Sequence, residues 1–228
     1  MRSVEPYFAP LKEVLISNGD QENADSMAAY LKDQFQFYGI KQTPRRTLFN
    51  QFVKEYGLPE YANLGQCIRW LYDQPQREYH YCAMELVLKL KRQWDDEVLK
   101  HASYLIATNS WWDTVDLIAS NIVGAYLKKH PKLVEPTISM WIESENMWLN
   151  RTAILYQLKY KEETSTSWLT QSILPHIDSN EFFHQKAIGW ALRQYSKFNP
   201  QWVIEFADNH DLKPLSRREA LRLVVGNN

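Results

Sequence analysis

Apolar residues return every three to four positions along most of the chain, the period of a helix that turns one face to a core. No stretch sustains the strict alternation of a half-buried strand bounded by Gly or Asn-Gly turns. The pattern predicts helices near 5–18, 24–37, 44–57, 61–74, 77–92, 95–107, 111–129, 131–144, 146–162, 166–176, 180–197, 200–209 and 213–226. Several starts are marked by proline after Thr43, His130, Asn199 and Lys213, where a first-turn N–H is unpaired anyway. Ser110-Trp111-Trp112-Asp113 reads as a capping box, with Ser110 at the N-cap and Asp113 reaching back to a backbone N–H. Asp178-Ser179-Asn180-Glu181 opens another helix. Short connections make neighbouring helices antiparallel hairpins.

The second helices of successive hairpins start near 44, 77, 111, 146, 180 and 213, at intervals of 33 to 35 residues. A near-constant interval of this size marks an α-solenoid. Two repeats still resemble each other: Trp148, Arg151 and Tyr160 match Phe183, Lys186 and Tyr195 at a shift of 35. The W-x2-L-G-x2-Y signature of tetratricopeptide repeats does not occur, so HEAT-like pairs fit better. The expected fold is all-α, a single domain over 1–228 in which HEAT-like antiparallel helix pairs form a concave superhelix. Residues 35 apart then become neighbours. That step gives the row Arg46, Tyr81, Asp116, Arg151 and Lys186, charged apart from Tyr81, which is either a site or a solvated face.

Composition changes this picture only when it is resolved along the chain. The 228 residues carry 26 Lys+Arg against 27 Asp+Glu, a net charge of -1, which by itself argues against a nucleic-acid binder. The six second-helix windows, however, hold 19 basic and 8 acidic residues, leaving 7 basic and 19 acidic elsewhere. One layer is thus near +11 and the other near −12. A surface divided in this way can steer a polyanion despite the neutral total. Helix dipoles account for Lys128, Lys129, Lys159 and Lys161 at C-termini. They do not account for Arg45, Arg46, Arg151, Lys186, Arg217 or Arg218. With 7 glycines, a Gly-rich phosphate loop is not expected. Cys67 and Cys82 read as buried free thiols of a reducing compartment. The six histidines form no metal-binding spacing, and no apolar run has the length of a signal or membrane segment. A cytoplasmic protein without metal or membrane attachment is expected.

Candidate chemistry lies beside the core stripes. Trp111, Val115, Ile118 and Ile122 share an apolar face, whereas Trp112 and Asp116 share a different one. Asp116 has no capping role, so it is either paired to a cation or poised for catalysis. Ile188, Ala191, Leu192 and Tyr195 form the core stripe of a later helix. Trp190 lies off that stripe with Lys186 and Arg193, as cation–π cover or as a contact to a sugar or base. Arg151 and Lys159 fall on one face of their helix, and Arg151 either salt-bridges Asp116 or binds a phosphate.

These residues together resemble the AlkD-type DNA alkylpurine glycosylases. The resemblance runs over nearly the whole chain. It is carried by Ala28-Ala29-Tyr30-Leu31-Lys32, Gly39-Ile40, Ser110-Trp111-Trp112-Asp113-Thr114-Val115-Asp116, Trp148-Leu149-Asn150-Arg151 and Gln185-Lys186-Ala187-Ile188-Gly189-Trp190. One departure is visible: Pro44 stands directly before Arg45-Arg46. The resemblance implies HEAT-like repeats that cradle duplex DNA, and hydrolysis of the N-glycosidic bond of N3- or N7-alkylated purines without base flipping. It makes Asp116 the catalytic carboxylate and sets Trp112 and Trp190 against the sugar of the damaged nucleotide. Arg151 would help hold the backbone, with Tyr30, Arg46, Lys159, Lys186 and Arg193 as further DNA contacts. A monomer acting on alkylated double-stranded DNA, with no cofactor, is the expectation. A non-catalytic relative that recognises branched or distorted DNA is the alternative, and a protein-binding scaffold is a further one.

Overall fold

The computed structural model describes residues 4–224, and among these the chain is all-α. Its nearest approach to a strand is an isolated parallel bridge between Gln36 and Gln76. None of the described helices is long and apolar enough to cross a membrane. The chain gathers into two compact units, the first running to His101 and the second starting at Ala102, with the division inside α6 (Glu97–Ala107).

The first unit contains α1 (Val4–Ser17), α2 (Gln21–Tyr30), α3 (Gln42–Tyr56), α4 (Leu64–Tyr72) and α5 (Arg77–Lys89). Phe8, Leu11, Phe49, Leu71 and Tyr79 are buried between them. The helix expected over 24–37 is displaced: it starts at Gln21 and stops at Tyr30. Lys32 (φ 61°) and Asp33 (φ 56°) then turn left-handed. Distant contacts override the local pattern here. The Arg77 guanidinium lies 3.7 Å from the Phe35 ring centroid. The buried Glu78 carboxylate accepts from the backbone N–H groups of Tyr38 (3.1 Å), Gly39 (2.9 Å) and Ile40 (3.0 Å). Gly39 has φ 88°, and a Cβ there would meet the Asp20 carbonyl at 1.9 Å. Glycine is therefore required at this position.

The second unit continues with α7 (Trp112–Ile118), a π turn (Ala119–Val123) and α8 (Gly124–Leu127). It is completed by α9 (Val134–Ile142), α10 (Met147–Leu155), α11 (Thr166–Ile173), α12 (Phe182–Tyr195), α13 (Pro200–Asn209) and α14 (Pro214–Leu221). The α7–α8 segment, α10, α12 and α14 lie side by side, and α9, α11 and α13 pack behind them. Ile154, Leu155, Ile188, Leu192, Val203 and Phe206 fill the space between the layers. The 35-residue step appears directly as bonds between second helices. Arg151 pairs with Asp116, Lys186 with Glu219, and Tyr160 Oη donates to the Gly124 carbonyl. In the first unit the separation is longer: Arg45 pairs with Glu85, 40 residues on, and Lys89 donates to Asn50, 39 residues back.

Three further expectations are corrected. The capping box does not form: Trp111 is the N-cap and contributes no side-chain cap hydrogen bond, while Ser110 Oγ turns back to donate to the Ile106 carbonyl. The helix expected over 146–162 ends at Leu155, followed by a left-handed Lys161 and a short 3-10 turn over Lys161–Glu163. The helix expected to 226 ends at Leu221, and positions 225 and 226 lie outside the described residues.

Gly124 sets how closely α8 approaches the end of α10. A Cβ there would sit 2.0 Å from the Tyr156 carbonyl oxygen. Backbone cannot yield cheaply, so Gly124→Ala is expected to cost about 3 kcal/mol, the upper end of ordinary overpacking. Urea unfolding that shows a loss under about 0.5 kcal/mol, the range of surface substitutions, would contradict this contact.

Candidate active site

Local structure first fixes α10. Asn146 caps it, its Oδ1 accepting from the backbone N–H of Trp148 (2.9 Å) and Leu149 (3.4 Å). Buried Asn150 donates to the carbonyls of Trp141, Ile142 and Ser144, tying α10 to the end of α9. Arg151 follows, 4% exposed. Its fork reaches Asp116 on α7 with Nε on Oδ1 at 2.7 Å and Nη2 on Oδ2 at 2.8 Å. Nη1 donates to the Phe183 carbonyl at 2.6 Å. Of the two roles open to Arg151 from sequence, the structure takes the ion pair.

Asp116 is thus held in a bidentate grip that fixes both carboxylate oxygens. Burial pushes its carboxyl above the usual carboxylate range, with Asp113 adding in the same direction, while the hydrogen bonds and charge of Arg151 oppose the shift. The π turn follows this residue, and Ser120 Oγ donates to the Asp116 carbonyl at 3.1 Å. Such turns insert a residue into the helical register and recur at functional sites. Here the π turn separates the face bearing Trp112 and Asp116 from the buried Ile122 and Val123.

Trp112, Asp116, Arg151, Phe182, Phe183, Lys186, Trp190 and Arg193 line one cleft of about 310 Å³. Phe183, one of the lining residues, belongs to an aromatic cluster: Trp148 lies 4.8 Å from Phe183 and 5.7 Å from Trp111, centroid to centroid. Trp190 packs its inner edge on the core. His184, on the buried side of α12, is pushed down to about 4 by burial, His176 and Arg151. It stays neutral at pH 7 and adds no second cation beneath the Arg151–Asp116 pair.

Of the residues singled out from sequence, Trp112, Asp116, Arg151, Lys186, Trp190 and Arg193 converge on this cleft. Lys159 instead donates to Asn121 Oδ1. Tyr30, 70% exposed, and Arg46, 3.7 Å from Glu85, lie in the first unit. Sequence reading missed Phe182 as a lining residue and Glu219 as the acid on α14 that pairs with both Lys186 and Arg193. The step of about 35 residues from Lys186 was the available signal for Glu219. Phe182 carries no comparable mark.

Chemically, the cleft offers one anchored carboxylate, indole and phenyl faces, and cations along α12. The arrangement suits a small cationic centre next to polyanionic substituents.

Residues 11–224 match the family described as DNA alkylation repair enzyme. A solved structure described as "Predicted DNA alkylation repair enzyme from Enterococcus faecalis" is 36% identical. The match covers 90% of this chain and 96% of that one, with a TM-score of 0.84. No curated protein matches the chain.

Proposed function

Since the chain belongs to the DNA alkylation repair enzyme family, we propose that it is a DNA glycosylase. In this reading it excises N3- and N7-alkylated purines from duplex DNA by hydrolysing the N-glycosidic bond, without flipping the base. The observation that carries this is the Asp116 carboxylate, gripped by Arg151 and lining the same cleft as Trp112 and Trp190, with the cations Lys186 and Arg193 beside it.

Alkylation at N3 or N7 makes the purine cationic and already a good leaving group. Bond breaking develops positive charge at C1′, as in glycoside hydrolysis. Asp116 as an anion stabilises that charge and orients the attacking water. The faces of Trp112 and Trp190 add π-electrostatic stabilisation. The lining offers aromatic faces to the sugar and cations to the phosphates. The test is incubation with methylated duplex DNA and quantification of free 7-methylguanine and 3-methyladenine. Release well above the spontaneous rate is expected. Tight binding to distorted duplexes with no release would instead favour the non-catalytic reading.

The upward shift of Asp116 gives a pH dependence. The anion is the working form, so excision falls as pH drops through its folded-state value. That value lies above the ~3.9 of an ordinary aspartate. The acid limb of single-turnover rates, corrected for spontaneous depurination, is therefore expected above the ordinary carboxylate range. A limb at or below that range would contradict the burial argument.

A further inference from the structure

The cations beside Trp190 are not free. Glu219 on α14 accepts from Lys186 Nζ at 3.0 Å and from Arg193 Nη1 at 2.6 Å. Its side chain is 12% exposed, little enough to resist screening. The hydrogen bond from Lys186, with the charges of Lys186, Arg193 and Arg222, holds its carboxyl below the usual range against the opposing effect of burial. Close packing delivers this acid to α12. A Cβ at Gly189 would lie 2.5 Å from Glu219 Cβ and 3.0 Å from the Ser216 carbonyl oxygen. Ser216 Oγ in turn donates to the Gln185 carbonyl at 3.1 Å. Gly189 directly precedes Trp190, so the contact that admits α14 also sets the cleft wall.

Lys186, Trp190 and Arg193 are four and three residues apart along α12, so the two cations flank the indole on one helical face. One carboxylate spans both. A backbone phosphate offers the same partners a similar pair of anionic oxygens. We infer that Glu219 stands in for a DNA phosphate: in the free protein it holds Lys186 and Arg193 on either side of Trp190, and docking of duplex DNA at the cleft passes these cations to the backbone. This inference rests on the glycosylase reading, whose site it extends. It makes Glu219 a positioning residue that lowers affinity for loosely docked DNA, because only a backbone seated against the cleft replaces the carboxylate.

The test is the affinity of Glu219→Gln for undamaged duplex across a salt series. Binding is expected to tighten, and log K against log salt to steepen by about one unit, since losing one carboxylate leaves the Lys186–Arg193 pair with one more uncompensated positive charge, worth roughly 0.9. Glu219→Asp keeps the charge and is expected to retain the parental slope. Adding Lys186→Gln to Glu219→Gln is expected to cancel the gain. Glu205→Gln removes an exposed acid on α13, bonded by Gln201, and is expected to leave the slope unchanged. Glu219→Met, which keeps the packing against Gly189, repeats the measurement should the glutamine variant melt early. Unchanged or weaker binding by folded Glu219→Gln and Glu219→Met overturns the inference, as does an equal gain from Glu205→Gln. Base release is assayed on the same samples. A parent that excises while Glu219→Gln and Glu219→Met keep the parental slope sinks only this inference, whereas a parent that neither binds duplex nor excises sinks the glycosylase reading and this one with it.

Discussion

Asp116→Asn is expected to slow release of 7-methylguanine from methylated duplex DNA by at least about 100-fold, the scale set by removing one preorganised electrostatic group. Affinity for undamaged duplex should hold or tighten, because the variant removes a negative charge from a surface that meets a polyanion. The ion pair complicates the experiment in a way the sequence alone does not suggest. Asparagine keeps one acceptor oxygen but turns an amide NH₂ toward the Arg151 fork, leaving a buried guanidinium partly unpaired. That loss costs about 2 kcal/mol of folding stability, as for a buried charged group deprived of its partner. Rates are therefore compared at a temperature where both proteins are folded by circular dichroism. A folded Asp116→Asn protein that releases base at the parental rate would remove Asp116 from the chemistry and leave its pairing with Arg151 as its whole role.

The helical period made the all-α class legible, and the interval of 33 to 35 residues made the row of second helices legible. Bonds such as Arg151–Asp116 and Tyr160–Gly124 realise that row. Chain breaks imposed from a distance were not legible. The stretch after Tyr30 still reads as helix, yet Arg77 and Glu78 hold Phe35, Tyr38, Gly39 and Ile40 in an extended path. A buried carboxylate that gathers three backbone N–H groups outweighs a helix propensity worth tenths of a kcal/mol per residue. The capping box failed for a related reason. Ser110 found a carbonyl behind it at Ile106, so the chain entered α7 one residue later, through Trp111.

The charge division was legible, but the availability of its cations was not. Glu85 takes up Arg45 and approaches Arg46, Asp116 takes up Arg151, and Glu219 takes up Lys186 and Arg193. A count by helix subtracts these acids from the total but does not show that they sit on particular cations. In the second unit, Asp116 and Glu219 pair with the cations Arg151, Lys186 and Arg193 that line the cleft. Asp116 is therefore not an isolated acid in a basic field. Its partner is a buried arginine, and its carboxylate still lines the cleft.

Arg151→Ala is expected to act on Asp116 before it acts on DNA. Removing the fork leaves a buried carboxylate unpaired, at a cost of about 4 kcal/mol in stability. It also removes the influence that opposes burial, so the Asp116 carboxyl rises further and the acid limb of the excision rate moves to higher pH. Arg151→Lys keeps the charge but only one hydrogen bond in place of the bidentate pair, so it should recover part of the rate and of the pH shift. A phosphate-binding role gives a different pattern. Loss of a backbone contact weakens duplex affinity and reduces the salt slope by about 0.9, with the acid limb unmoved. The observed geometry, in which Arg151 is spent on Asp116 and the Phe183 carbonyl, predicts the first pattern. Single-turnover rates across pH, set beside a salt titration of binding for the same two variants, decide between them. An unmoved limb with a reduced slope would return Arg151 to the DNA backbone and leave Asp116 to be held by burial alone.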